Sequence, residues 1–284
     1  MPRLIVNADD FGLTSGVNRA ILELNQARVL TSATLMARAA ATDEAVEMAL
    51  ATPTLGVGCH VVLVDGEPIQ PPQQLPTLTR PGTRHFQPKL GGFVKAIFTG
   101  KVDPMEMEAE AHAQIRSLQA RGLRLTHIDT HKHTHIFPQV LRPVLRAARS
   151  CGIRAVRNPF EPNWSIAATP DAPLIRLFQV RMLRILESAF RRIVAERGFV
   201  TTDGALGVVA TGTLDERSVS SLLSALPSGG TYELVTHPGY NDADLASTNT
   251  RLLASRDTER QALDTLRRPH DPALAPQLIS FAEL

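Results

Sequence analysis

Thr126-His127-Ile128-Asp129-Thr130-His131-Lys132-His133-Thr134-His135 sets four of the chain's nine histidines and one carboxylate on alternate positions of ten residues. Leu123 and Leu125 extend the same alternation upstream, which is the pattern of a β-strand. A strand sends alternate side chains to one face, so His127, Asp129 and His131 are expected to emerge together. Neutral imidazole and carboxylate are the usual ligands of divalent ions such as Zn²⁺, Mn²⁺ and Fe²⁺. A solvated histidine-rich loop is the competing reading, and the apolar residues leading directly into the tract weigh against it.

Outward from this stretch, short apolar strands alternate with helical segments. Leu4–Ala8, Thr31–Met36, Leu55–Val64, Leu123–Thr130, Ile153–Arg157, Leu206–Ala210, Tyr232–Thr236 and Leu278–Phe281 read as strands. Helices are expected after a cap at Thr14 or Ser15, over Thr42–Ala51, Pro104–Arg121, Val140–Ser150, Leu174–Arg197 and Asp215–Leu226, and finally over Arg251–Arg267. Two excursions interrupt the alternation, at about 65–103 and 158–173, the first carrying six prolines. Alternating β and α elements imply a mostly parallel sheet with helices outside. Asp9 and Asp10, His60, His131, Arg157 and His237 all fall at strand C-termini. Convergence from so many strands favours one α/β domain over 1–284, an irregular (β/α), TIM-barrel-like barrel. An open sheet would draw on the few strands at its switch point.

Composition narrows the class. With 43% hydrophobic and 20% charged residues, 284 residues suffice for a large core and exclude a disordered chain. A net charge of +2 with scattered arginines gives no reason to expect nucleic acid. Two cysteines, Cys59 and Cys151, set up no disulfide framework. The N-terminal segment Met1–Val6 is too short and runs too soon into acidic residues to read as a signal peptide, and no apolar run reaches the ~18 residues of a membrane span. The expected location is the cytoplasm.

Adjacent carboxylates at a strand end face different directions, so Asp9 and Asp10 can divide the work between holding a metal and taking a proton; capping of the next helix is the plain alternative. His60 lies in an apolar strand level with the mouth, and Cys59 then faces the core. His237, released by Pro238 and Gly239, is suited to protonate a leaving amine. Arg157 either binds a substrate oxygen or pairs with Asp9.

Taken in order, Asn7-Ala8-Asp9-Asp10-Phe11-Gly12, Gly58-Cys59-His60, the histidine tract and Glu233-Leu234-Val235-Thr236-His237-Pro238 resemble the YdjC-like carbohydrate deacetylases, the ChbG/HpnK family. The likeness runs from about residue 4 to 240. It implies hydrolysis of the acetyl group from an N-acetylated amino sugar at one divalent metal ion, Mg²⁺ or Zn²⁺. Asp10, His60 and His131 are then the ligands, Asp9 the base and His237 the acid. His127 and Asp129 are expected to orient ligand imidazoles, and His133 and His135 to contact sugar or serve structure. Val61–Gly66, Pro71-Pro72 and Thr202–Gly207 are closer to the HpnK branch, which implies a hopanoid glycolipid head group. A phosphoester hydrolase lacks support because no Gly-rich phosphate cradle is present. A non-catalytic sugar-binding protein with a retained metal would close its coordination shell with protein ligands, and only three are expected.

Leu174–Arg197 mixes apolar residues with Arg176, Arg181, Arg184, Arg191 and Arg192. Two arrangements fit: an outer helix packed on the sheet, or a basic amphipathic helix docked at the inner face of an anionic membrane. A homo-oligomer is compatible with either.

Overall fold

The computed structural model describes residues 1–267 and 275–284. Seven parallel strands build the sheet: β1 (Arg3–Phe11), β2 (Ser32–Leu35), β3 (Gly56–Val61), β4 (Ile128–Thr130), β5 (Gly204–Leu206), β6 (Thr231–Thr236) and β7 (Gln277–Leu278). Their order is β4-β3-β2-β1-β6-β5, with β7 pairing the start of β1. Helices follow most strands: α1 (Ser15–Gln26), α2 (Thr42–Ala51), α3 (Leu90–Phe98), α4 (Pro104–Ala120), α5 (Pro138–Ser150), α6 (Asn163–Ala168), α7 (Leu174–Leu183), α8 (Glu187–Glu196), α9 (Glu216–Ser224), α10 (Ala243–Ala246) and α11 (Ala254–Leu263). The fold is a single α/β domain whose parallel sheet forms a half-barrel.

A ring of eight full strands is not present among the described residues. The segment expected as a strand at Ile153–Arg157 makes only isolated bridges, Ile128 to Val156 and Ala155 to Val200. Beyond them, the Ala205 amide donates to the Phe160 carbonyl at 3.0 Å. Short pairs of backbone hydrogen bonds, not a continuous ladder, therefore tie this segment to Ile128 on one side and to Val200 on the other. The reason is local: Asn158 and Pro159 follow at once, and the Asn158 side chain accepts from the Phe160 amide and donates to the Thr202 carbonyl, offering the backbone an alternative to the ladder.

Helix signals in the sequence are realised at the ends that carry chemical caps. Thr14 accepts from the Val17 amide to open α1, Asp103 from Met105 to open α4, and Asp215 from Ser218 to open α9. β1 is the central strand and is buried almost throughout, so it reads as a near-continuous apolar run, as parallel strands do. Beyond Arg3 its polar residues are Asn7, at its middle, and Asp9 and Asp10, near its C-terminal end.

The first excursion is a folded arm. Leu75, Leu78, Phe86 and Phe93 are buried, and α4 supplies the acceptors that its irregular backbone lacks. Glu110 accepts from the Ile69 and Gln70 amides at 2.8 and 3.0 Å, and Glu106 from Thr77 and Leu78 at 2.9 and 3.0 Å. Two buried carboxylates thus satisfy four amides that no helix or strand pairs. In the second excursion Glu161 does the same for the Gly207 and Val209 amides.

The expected continuous helix from Leu174 is α7 and α8 joined by a 3₁₀ turn at Arg184–Leu186. α8 buries Phe190, Ile193 and Val194. In α7 only Val180 is buried, while Leu174, Ile175, Phe178 and Met182, with Ile185 beyond, stay exposed, from 51% at Met182 to 84% at Leu174.

Candidate active site

Polar side chains gather at the C-terminal ends of β1, β3, β4 and β6, where parallel sheets place their sites. Two backbone departures make this gathering work. Asp10 has φ of +64°, and the β1–β2 register shifts between Ala8 and Phe11. The left-handed residue turns the Asp10 side chain out of strict alternation, so both adjacent carboxylates reach the same site. Aspartate is one of the few residues that accept this conformation cheaply. The second departure is at Lys132 and His133, both left-handed at φ +56° and +52°, which ends the strand and redirects the tract beyond His131.

Asp10, His60 and His131 converge. The Asp10 Oδ1 lies 3.5 Å from both His60 Nε2 and His131 Nδ1, and those two nitrogens are 3.3 Å apart. One oxygen and two imidazole nitrogens facing a common point are a suitable donor set for a divalent ion. The tautomer of His60 agrees. Its Nδ1 lies 2.8 Å from Asp129 Oδ1; an ionised carboxylate only accepts, so the proton sits on Nδ1 and Nε2 is left to face the other two ligands. Burial alone would push His60 down, but Asp129, with Asp9 and Asp10, outweighs it and raises the imidazole to about 9. The proton concerned is the one on Nε2, which ligation displaces. The residues present fit a divalent cation.

Asp9 stands beside this triad and is held differently. Arg157 grips it with both terminal nitrogens, Nη2 to Oδ1 at 2.6 Å and Nη1 to Oδ2 at 2.8 Å. The same guanidinium meets Asp129 through Nη1 and Glu233 Oε1 through Nε at 2.8 Å. Arg157 has no exposed surface; of its two expected roles, the structure shows the ion pair with Asp9. Burial would raise Asp9, yet Arg157 holds its carboxyl below the usual range. Glu233 receives less of that cation and keeps one oxygen unpaired; burial dominates there and lifts it to about 7. The hydroxyl of Thr34 sits between Asp9, His60 and Asp129, 3.2–3.4 Å from each.

His237 Nε2 is 3.7 Å from Asp9 Oδ2, and its amide donates to Glu259 Oε2 at 2.6 Å. Burial opposes protonation of this imidazole, but Glu259, Asp9 and Asp10 together raise it above the ordinary value.

The other histidines of the tract lie elsewhere. His127 stacks on Phe281, ring centroids 3.7 Å apart, with its Nδ1 on the Thr126 hydroxyl. Strand alternation keeps it on the Asp129 side but a layer deeper, and burial lowers it to about 3. His135 lies between Thr130 Oγ1 and the Arg157 carbonyl. His133 packs edge-on to His135.

Arg256 and Glu259 escaped the sequence reading. Arg256 Nη2 donates to Asp10 Oδ2 at 2.5 Å, and both residues are buried on α11. The signal for them lies within Ala254–Leu263: Arg256 and Glu259 share the helix face of Ala262 and Leu263, and that face is the buried one.

The match to the family model for YdjC-like proteins extends over residues 3–271. The chain belongs to the YdjC-like family. It is 33% identical over 285 residues to a carbohydrate deacetylase of Brevibacillus brevis, covering 99% of both chains. To another of that description from Geobacillus stearothermophilus it is 33% identical over 248 residues, 87% of this chain and 84% of the relative. A crystal structure from Enterococcus faecalis V583, of a protein described in terms of cellobiose-phosphate cleavage, superposes with a TM-score of 0.79 at 24% identity, covering 99% and 98% of the two chains. That likeness establishes the fold alone.

Proposed function

We propose that this protein is a metal-dependent hydrolase that removes the acetyl group from an N-acetylated amino sugar. The observation that carries the proposal is the meeting of the Asp10, His60 and His131 donor atoms with the Asp9–His237 pair alongside. The deacetylase names of the relatives supply the substrate class.

Amide hydrolysis is slow because water is a weak nucleophile and an amine a poor leaving group. A divalent cation held by Asp10, His60 and His131 supplies Lewis acidity for the acetyl carbonyl and for water. Asp9 is ionised; its Oδ1 already accepts from Arg157, Asn7 and Thr34, whereas Arg157 occupies only one lone pair of Oδ2, which is the oxygen left to accept a water proton. His237, raised by its carboxylate neighbours, carries the proton that the departing nitrogen needs. Asp129 fixes the His60 tautomer, and Arg157 keeps Asp9 and Asp129 in one orientation.

The acceptor we assign is a lipid-linked amino sugar of the hopanoid type. The hopanoid type rests on the likeness of Val61–Gly66, Pro71-Pro72 and Thr202–Gly207 to the HpnK branch, and a lipid acceptor is supported by the exposed apolar stripe of α7 next to Arg176 and Arg181, with no acidic residue from Leu174 to Leu186. Such a surface suits the headgroup region of an anionic membrane, and a copy of itself would set arginine against arginine. No described helix is long and apolar enough to cross a membrane, so the contact is peripheral.

Acetate release from N-acetylglucosamine oligomers and an N-acetylglucosaminyl lipid, and phosphate release from a phosphomonoester, are measured with chelated and Zn²⁺- or Mg²⁺-restored protein. Metal-restored release from an acetylated sugar is expected. Turnover of the phosphoester alone would overturn the assignment. Co-sedimentation with anionic vesicles at low salt, abolished by Phe178→Asp, is expected for the lipid acceptor; a dimer lost in Phe178→Asp without vesicle binding would refute it.

A further inference from the structure

Asp10 and His237 lie 227 positions apart and belong to different strand ends, yet both are held by one turn of α11. Arg256 Nη2 donates to Asp10 Oδ2, the oxygen not turned toward His60 and His131. Three residues on, Glu259 Oε2 accepts the His237 amide at 2.6 Å and lies 3.7 Å from its Nδ1. Residues three apart share a helix face, so a single rigid element touches both. The approach is close: the Gly239 amide donates to the Arg256 carbonyl at 3.2 Å, and a Cβ on Gly239 would come within 3.1 Å of Arg256 Cδ and 3.0 Å of Val17 Cγ2. Arg256 is anchored in turn by its Nε on the Leu252 carbonyl at 3.0 Å.

We propose that α11 is a positioning element for the reaction: Arg256 fixes the Asp10 carboxylate so that one oxygen faces the metal, and Glu259 orients His237 and stabilises its protonated form. This extends the deacetylase reading and rests on it for the role of His237. Arg256 confines Asp10 to one oxygen because the other is already donated to by a planar guanidinium whose direction is set by its own bond to Leu252. Glu259 acts on His237 from α11, while Asp9 and Asp10 face the same imidazole from β1. Both residues touch neither substrate nor metal. Their buried charges would be costly unless partnered; the charged groups they meet are Asp10 and His237, while Arg256 Nη1 and Glu259 Oε1 are buried without a hydrogen-bond partner.

Two readouts that need no turnover test this. Zn²⁺ affinity is measured by calorimetry, and the His237 imidazole is titrated by NMR in the Zn²⁺-loaded protein. Arg256→Lys keeps the charge and removes the fixed fork, so Zn²⁺ affinity falls about 10–100-fold, the usual cost of losing a ligand's orienting partner, while the His237 titration stays. Glu259→Gln retains an acceptor for the His237 amide but no charge, so the His237 titration moves to lower pH and Zn²⁺ affinity stays. Gly239→Ala pushes the helix away and moves both readouts; it serves where either charge variant fails to fold. Unchanged readouts in both charge variants would overturn the proposal. So would a parallel loss of both readouts with melting temperature in each of them, which is the mark of simple packing. Absence of acetate release in the wild type would sink the deacetylase reading and leave these two measurements standing.

Discussion

Arg157→Met replaces the one cation shared by Asp9, Asp129 and Glu233 with an uncharged side chain of similar length. All four groups are buried, so the variant leaves three carboxylates without the charge that holds two of them ionised. Removing one partner of a buried ion pair costs about 3–5 kcal/mol, a large share of the roughly 5–15 kcal/mol that keeps a domain folded. The cost depends on pH in a direction the structure fixes. In the wild type, Arg157 overcomes burial to lower Asp9 and Asp129, so their contribution is present above the unfolded value of 3.8 and is lost as pH falls. In the variant, burial is left to act and their folded values rise above 3.8. The folded variant then binds more protons than the unfolded chain, and its stability recovers as pH falls. Urea unfolding followed by the fluorescence of the single tryptophan, Trp164, at pH 8 and pH 5.5 measures both effects. The expected result is a deficit of about 3–5 kcal/mol at pH 8 that shrinks clearly at pH 5.5. A deficit below about 1 kcal/mol, the level of an exposed pair, or one equal at the two pH values, would refute the account of the network.

Two further outcomes follow from the deep layer of the site. His127 and His135 are buried neutral, lowered to about 3 and about 4, so each contributes stability above pH 6.5 that is lost as pH falls toward those values, at about 1.4 kcal/mol per pH unit. Acid-induced unfolding should therefore begin below pH 6.5, and His127→Gln should flatten it; an unchanged slope in that variant would show that His127 is not a buried neutral group. Gly58→Ala places a methyl within 2.5 Å of the His127 ring, and that overpacking should destabilise by about 1–3 kcal/mol, read as a lower melting temperature; an unshifted melt would contradict the close stacking.

Much of the architecture is legible in the sequence because its signals are local. The cap at Thr14, the apolar periodicity and the loop breakers predict most of the longer helices and most strands, but not α3, α6 or α10, and the strand expected at Leu206–Ala210 pairs instead over Gly204–Leu206. The departures arise where side chains compete with the ladder. Leu123–Thr130 reads as a strand of eight residues, but only Ile128–Thr130 pairs regularly; Asn158 diverts the chain that would have formed the next strand. The candidate site is partly legible for the same reason. Alternation points to Asp129 and His131, and the register of β3 against β4 sets His60 opposite Asp129. Alternation could not reveal that Asp10 and Lys132-His133 are left-handed, which brings both aspartates together and turns His133 and His135 away. Arg256 and Glu259 share the helix face of Ala262 and Leu263, so helical periodicity marks them as inward, but it does not say that their partners are Asp10 and His237.

The central claim is that two adjacent aspartates at the end of β1 have different tasks, Asp10 at a metal and Asp9 at a proton. Bound Zn²⁺ and acetate release from N-acetylglucosamine oligomers, measured on the same samples of Asp9→Asn and Asp10→Asn, test it most directly. Asp9→Asn should retain its metal and lose about 10²–10⁴-fold in turnover, and Asp10→Asn should lose both. Loss of metal from Asp9→Asn, or full metal and turnover in Asp10→Asn, would contradict the assignment.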